Sequence, residues 1–404
     1  MRKCAVETSR VLMSLLVVFA AGKLMGEVFE WLKQPAVIGE LIAGVLIGPG
    51  LLNWAAPSAT LSTVATMGVI VLMFVVGLET RPSELFKVGR RALVVGAAGI
   101  VLPFACGYAF GAALGYGRLE TMFIGTALVA TSVGITARVL ADKGFLSTTE
   151  ARIILAAAVV DDVLGMIVLS LVVGASRGSV DVAHVAVLLA QVVLFIGFEL
   201  WIAPRLVRRH AHWLDRLKIP NAGFVVALIV MLGMAALSET IGMAGIVGAF
   251  FAGMMFAETE DRWELSKQSR PLYEWLVPYF FVVTGMQVEL SQLVSPNILV
   301  PGLALSALAI ATKTVGCGFG AAGVGWRRML AVGVGMVPRG EVGLIVASTG
   351  LAMGIIGSAT YGMVVLVVVM TTVVAPPALA VVFPWALGAG SSAPVHLDEG
   401  DVIV

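Results

Sequence analysis

The stretch "AAAVVDDVLGMIVLS", residues 156–170, sets Asp161 and Asp162 side by side in a run that is otherwise almost wholly apolar. A carboxylate near the middle of a membrane costs about 2.5–3.5 kcal/mol on insertion scales, so such a pair must face a water-filled cavity or a cation. Successive residues of a helix point about 100° apart, which lets both side chains border one cavity without meeting head-on. Carboxylates this close titrate as a coupled unit, and the pair is a candidate proton carrier. A buried aspartate held by hydrogen bonds from neighbouring helices is the plainer alternative, but it accounts for one such residue more readily than for two in succession.

Lys313, in "LALSALAIATKTVGCGFGA", is the complementary charge. It lies too deep in its apolar run to snorkel to the surface. A buried ammonium needs an anion, for which an aspartate is the natural partner, or else a carbonyl or an aqueous crevice. Two further runs carry helix breakers: Thr131, Ser132 and Gly134 in "TALVATSVGITARV", and Pro338, Arg339, Gly340 and Glu341 in "GMVPRGEVGLI". Pro removes a backbone donor and Gly loosens the helix, so both runs are expected to be discontinuous there. Broken helices expose carbonyls and hydroxyls that replace an ion's hydration, which makes Thr131 and Ser132 candidate ligands. Arg339 and Glu341 are expected to neutralise one another structurally, and Glu40, Glu79 and Glu239 to be structural.

The elements that hold these residues must be membrane helices. Of 404 residues, 59% are hydrophobic and 13% charged, with 46 glycines and a mean hydropathy of +1.01. That is far from the composition of a soluble domain. Apolar runs long enough to cross the bilayer recur along the whole chain, and lipid offers the backbone no hydrogen bonds. The runs are continuous rather than alternating, which excludes a β-barrel. Breaks at charged and Pro/Gly clusters divide the chain into about thirteen spans. The basic start "MRK" followed by an apolar run has the look of a signal peptide, but the run leads directly into further membrane sequence and is read as the first span. The loops on one side carry most of the 26 Lys and Arg residues, which puts the N-terminus outside and the C-terminus in the cytoplasm.

Cys4, Cys106 and Cys317 have no C-x-x-C or His cluster beside them, so neither a disulfide framework, a structural metal nor a cofactor is indicated. No basic run interleaved with aromatics suggests nucleic acid. The halves echo each other in one register: "VIGELIAGVL" with "IVGAFFAGMM", "FVVGLE" with "FVVTGM", and "MFIGTALVATSVGI" with "MLAVGVGMVPRGEV". An offset of seven spans, an odd number, would turn the second copy upside down, the architecture of secondary transporters.

With "QPAVIGELIAGVLIGPGLL", "FVVGLE", "ATSVGITARVLAD", "VVDDVLG", the Lys313 segment and "PRGEVGLIVA" together, the chain resembles the cation:proton antiporter-2 family of sodium/proton exchangers, nearest its NapA-like bacterial members. The resemblance implies an all-α membrane fold of about thirteen helices, with two inverted six-helix repeats and two crossing discontinuous helices as in NapA and NhaA. It implies a membrane unit over 1–386, with a dimerisation domain and a mobile core of helices at about 60–174 and 271–351, followed by a short cytoplasmic tail at 387–404. Asp162 matches the family's ion-binding aspartate, where the transported sodium would sit, and Asp161 the aspartate that pairs with the core lysine, here Lys313. Thr131 and Ser132 match the unwound crossing segment. The implied activity is electrogenic exchange of sodium or lithium for protons by elevator-like alternating access, in a homodimer in the bacterial cytoplasmic membrane, with no enzymatic step.

Glutathione-gated potassium-efflux members commonly carry Gln at the first aspartate and a cytoplasmic nucleotide-binding domain, neither of which is found here. Potassium/proton exchange is nonetheless the runner-up, because residue identities do not set cavity dimensions. A passive cation channel would need a continuous pore and no proton coupling. An intramembrane aspartyl protease needs its aspartates on separate helices, and a redox or metalloenzyme lacks its ligands.

Overall fold

The structure, a computed structural model, describes residues 2–176, 182–214, 218–287 and 295–388. The expected tail beyond Gly388 lies outside the described residues. Among these residues the elements are all helical. The first half contains α1 (Arg2–Trp31), α2 (Ala36–Ile47), α3 (Ala59–Leu78), α4 (Pro82–Ala113), α5 (Arg118–Ala127), α6 (Val133–Asp142) and α7 (Thr149–Ser176). A linking helix follows as α8 (Val182–Gly197), a π-helical turn at Phe198–Ile202, and α9 (Ala203–Leu214). The second half contains α10 (Ala222–Ile241), α11 (Gly245–Phe256), the short α12 (Glu260–Trp263), α13 (Leu265–Met286), α14 (Pro296–Gly320), α15 (Trp326–Gly335), α16 (Glu341–Ala352) and α17 (Ser358–Leu387).

Seven of the described helices are long and apolar enough to cross a membrane: Thr8–Trp31, Ala59–Leu78, Lys87–Ala113, Thr149–Ser176, Ala222–Ile241, Pro296–Gly320 and Ser358–Leu387. Shorter apolar helices at Ala36–Ile47, Gly245–Thr259 and Val342–Ala352 accompany them. Helix is the form these runs must take, because it satisfies every backbone group within the segment. Pro376, Pro377 and Pro384 lie inside α17, as membrane helices allow where surrounding groups take over the carbonyls that proline frees.

The helices pack as two bundles. In one, α3 lies against α11 and α13, α2 against α1 and α13, and α10 against α11. In the other, α4 lies against α5, α7 and α14, while α17 lies against α14, α15 and α16. The helix α6 occupies the seam, touching α3 and α2 on one side and α17 and α7 on the other. The linking helix leans on the first bundle, with the Phe195 ring 6.2 Å from that of Phe251.

This packing differs from the core expected at 60–174 and 271–351. Both α3 and α13 belong with α1, α2, α10 and α11, whereas α17, beyond the expected boundary, belongs with α4 and α14. The cause is close backbone approach at glycines, which hydropathy does not reveal. Where lipid is as apolar as the side chains, helices associate through small residues that let backbones meet. A Cβ on Gly44 would lie 2.9 Å from the Gly285 Cα, and one on Gly77 2.9 Å from the Gly253 Cα. The crossing of α1 with α2 also recurs between α10 and α11: a Cβ on Gly39 would come 2.2 Å from the Met25 carbonyl, and one on Gly248 2.1 Å from the Met234 carbonyl. These matched contacts fall in the register of the sequence repeat.

A side chain at such a crossing must separate two backbones. For Gly77→Val, whose Cβ would lie 2.1 Å from the Phe250 carbonyl, we expect a loss of about 3 kcal/mol or more. Fluorescence-detected size exclusion after a heat step checks this, with Gly89→Ala, which meets nothing within 4 Å, expected to behave as the parent.

Candidate functional site

The site is built where two helices stop and restart beside one another. The first break separates α5, ending at Ala127, from α6, starting at Val133; the second separates α15, ending at Gly335, from α16, starting at Glu341. Pro338 cannot donate a helical hydrogen bond, and Gly340, at φ −138°, ψ −140°, lies outside the helical region. The freed backbone groups find partners in the opposite break. The Ser132 N–H donates to the Pro338 carbonyl at 2.7 Å, and the Thr136 hydroxyl to the Gly335 carbonyl at 2.7 Å. Thr131 donates more weakly to the Met336 carbonyl at 3.4 Å. A Cβ on residue 340 would come 2.8 Å from Ser132 Oγ, so the crossing requires glycine there.

Helix C-termini carry unpaired carbonyls and partial negative charge, which favour nearby cations. Two buried cations stand at these breaks. Arg339, wholly buried, donates from Nη1 to the Val337 carbonyl at 3.0 Å and from Nη2 to the Leu128 carbonyl at the end of α5. Its own carbonyl accepts a hydrogen bond from Thr372 at 2.6 Å. Arg339 therefore braces both breaks through carbonyls. Glu341 opens α16, and its side chain lies outside the described residues.

Lys313 comes from the middle of α14, and Asp161 from the middle of α7. Lys313 Nζ lies 2.9 Å from Asp161 Oδ1 and 3.1 Å from Oδ2, and it donates to the carbonyls of Val129 at 2.6 Å and Gly99 at 2.9 Å. Both side chains of the pair are 0% exposed. Four oxygens thus surround the ammonium, one of them from the first helix break. Asp162, next on the same helix, is half-buried where Asp161 is buried.

The breaks, α7 and α14 thereby bring Asp161, Lys313, Thr131, Ser132 and Arg339 into one region, with Asp162 beside them. Carboxylate, hydroxyl and carbonyl oxygens are the donors that replace water around an alkali cation. Among the described residues, no group of three or more His, Cys, Asp or Glu could hold a metal ion. Sequence reasoning missed Gly99, Thr372 and the carbonyl partners of Arg339. For Gly99 no signal was available, since it is one glycine among 46.

Gly99 is a sensitive reporter of the pair. A Cβ there would lie 2.6 Å from Cys317 Sγ and 3.4 Å from Lys313 Nζ. We expect Gly99→Ala to cost about 1–3 kcal/mol by overpacking and to slow turnover, with Cys317→Ala in the same chain restoring part of both. Thermal unfolding in detergent and transport assays on the two variants check this.

Comparison with known proteins places this geometry among relatives. The family model described as sodium/hydrogen exchanger, transmembrane, matches residues 14–385. The Na(+)/H(+)-K(+) antiporter GerN of Bacillus cereus is 37% identical over 374 residues, covering 91% of this chain and 95% of the relative. The high-affinity Na(+)/H(+) antiporter NhaS3 of Synechocystis sp. is 36% identical over 417 residues, covering 92% and 90%. Among solved structures, the sodium proton antiporter MjNhaP1 from Methanocaldococcus jannaschii matches with a TM-score of 0.62 at 18% identity, over 94% of this chain and 98% of that one. At that identity the likeness speaks for the fold alone.

Proposed function

The chain belongs to the sodium/hydrogen exchanger family, and from that premise and the buried carboxylate pair we propose that this multi-pass membrane protein exchanges sodium or lithium for protons, with Asp162 as the carboxylate that takes cation and proton in turn. The matching model is described as sodium/hydrogen exchanger, transmembrane, which supports the antiporter resemblance but not its placement in the cation:proton antiporter-2 group. The observation that carries the reading is the fully buried Asp161–Lys313 pair at the crossing of two helix breaks, with Asp162 adjacent.

In the proposed cycle, sodium arriving from the cytoplasm displaces one proton from Asp162 and parts Asp161 from Lys313, whose ammonium gives up the second proton as it loses its anion. On the outer side, one proton displaces sodium from Asp162 and a second returns to Lys313, so that the pair re-forms. Thr131 and Ser132 supply oxygens to the ion, while Arg339 and Lys313 offset the negative ends of α5 and α15. Two protons for one sodium would move one net charge inward, worth about 2.3 kcal/mol per 100 mV.

We assign movement to the bundle of α4–α7 and α14–α17, with α6 carried by the break that joins it to α5, and a fixed, dimer-forming role to the bundle of α1–α3, α10, α11 and α13. Counting each broken helix once gives thirteen crossings, six on either side of the linking helix, in an inner-membrane protein whose N-terminus lies outside. Elevator-like sliding of one bundle past the other is the form of alternating access that this division favours. Potassium is the competing substrate, since GerN is named as a Na(+)/H(+)-K(+) antiporter.

Labelled-sodium uptake into acid-loaded proteoliposomes at set membrane potentials tests the reading. Uptake should require the pH gradient and quicken when the interior is positive, because more positive charge leaves than enters. Uptake independent of the gradient would contradict exchange, and uptake independent of voltage would contradict the two-for-one stoichiometry.

A further inference from the structure

Away from the helix breaks, a second buried charge cluster bridges the seam between the bundles. Arg138, 8% exposed, comes from α6; Glu40, 2% exposed, comes from α2; Tyr273 comes from α13. Arg138 Nε is held at 2.8 Å by Asp142 Oδ2, one turn along its own helix, which aims the guanidinium across the seam. Its Nη2 lies 3.9 Å from Glu40 Oε1, and its central carbon sits 4.8 Å from the centre of the Tyr273 ring. The Tyr273 hydroxyl approaches Asp142 Oδ1 at 3.4 Å. Lys23 and Glu30 of α1 add weaker fields at Glu40. Arg138 Nη1 and Glu40 Oε2 are both buried with no hydrogen-bond partner among the described residues. The contact across the seam is thus real but incomplete.

A buried charge left without its partner is strongly destabilising, so two such charges on opposite sides of a sliding seam cannot be indifferent to the sliding. Separating them without admitting water would leave Glu40 uncompensated and Arg138 with Asp142 alone, whereas bringing them closer would satisfy the orphaned atoms. The guanidinium also loses its aromatic face if α13 moves away from α6. The ion site plays no direct part in this cluster, which is built on the middle and the C-terminal end of α6, whereas Thr131 and Ser132 precede its first turn.

We propose that Arg138 is a positioning residue: through Glu40 and Tyr273 it sets the balance between the two states of the seam, and with it the face of the membrane toward which the ion site opens. The proposal rests on the alternating-access reading above. Any interaction that favours one of two states shifts their populations by its differential free energy, and affinity seen from each face shifts in consequence.

The test is sodium-dependent proton flux in vesicles of defined orientation, with half-saturating sodium measured from each face. Arg138→Gln and Glu40→Gln should each move the two half-saturation values in opposite directions by about threefold or more. The double variant should move them no further, because either change breaks the same contact. Arg138→Lys should fall between, and Tyr273→Ala should shift the values while Tyr273→Phe, which keeps the ring, stays near the parent. Folded variants with half-saturation unchanged at both faces, or shifted in the same direction at both, overturn the proposal. A parent that moves no protons with any cation overturns the exchange reading and this proposal together, whereas an active parent with unmoved variants overturns the proposal alone.

Discussion

Asp162→Asn is expected to abolish cation-driven proton movement, down to the background of protein-free vesicles, in a protein that still folds. Asparagine keeps the shape of the side chain and removes the one charge that both cation and proton need. The residue is half-buried, where a carboxylate in a membrane is costly and an amide is not, so stability should stay within about 1 kcal/mol of the parent or rise. Sodium should also stop protecting the variant against heat, because a ligand stabilises only the form that binds it. Thermal unfolding with and without sodium, measured beside transport, separates loss of the ion from loss of the fold. Retained exchange in the variant would move the ion to another group.

Lys313→Ala carries the second large effect, and it falls on stability as well as transport. The substitution leaves Asp161 wholly buried without its cation and takes a donor from the Val129 and Gly99 carbonyls. Breaking a buried pair from one side typically costs about 3–5 kcal/mol, because the remaining charge has nowhere to go. Replacing both members with apolar groups is often close to neutral, so Asp161→Leu with Lys313→Met should regain most of the lost stability. The double variant should nevertheless lack the voltage dependence assigned to the pair. Melting temperature in detergent is the readout, and a single variant as stable as the parent would show that the pair is not a supporting contact.

How far the sequence alone reaches differs from residue to residue. Asp161, Asp162 and Lys313 stand out because charge within an apolar run needs a physical reason, and the penalty is large enough to outweigh the plainer readings. Pro338 and Gly340 mark a break by backbone chemistry, and the break lies where they stand. Arg339 shows the limit of spacing. Its guanidinium meets the carbonyls of Leu128 and Val337, groups that every residue carries and that only chain geometry exposes.

The division into bundles was hidden for a related reason. Hydropathy reports that a segment crosses the membrane and says nothing of its neighbours. Gly44 with Gly285 and Gly77 with Gly253 decide that α3 and α13 stay with α2 and α11, and each is one glycine among many. The repeat was the better guide, because a matched register predicts matched crossings. The pairs Met25 with Gly39 and Met234 with Gly248 meet that expectation at the level of single carbonyls. Arg138, on the seam helix α6, and Glu40, on α2, lie far apart in sequence, so nothing short of the fold brings them together.

The most direct test of the account is dequenching of a pH-sensitive dye in proteoliposomes with an imposed proton gradient, on addition of sodium, lithium or potassium, with Asp162→Asn alongside. A response to sodium or lithium that vanishes in the variant is the predicted result. A selective potassium response would keep exchange and change the substrate, and no proton movement with any cation, in folded protein, would contradict exchange itself.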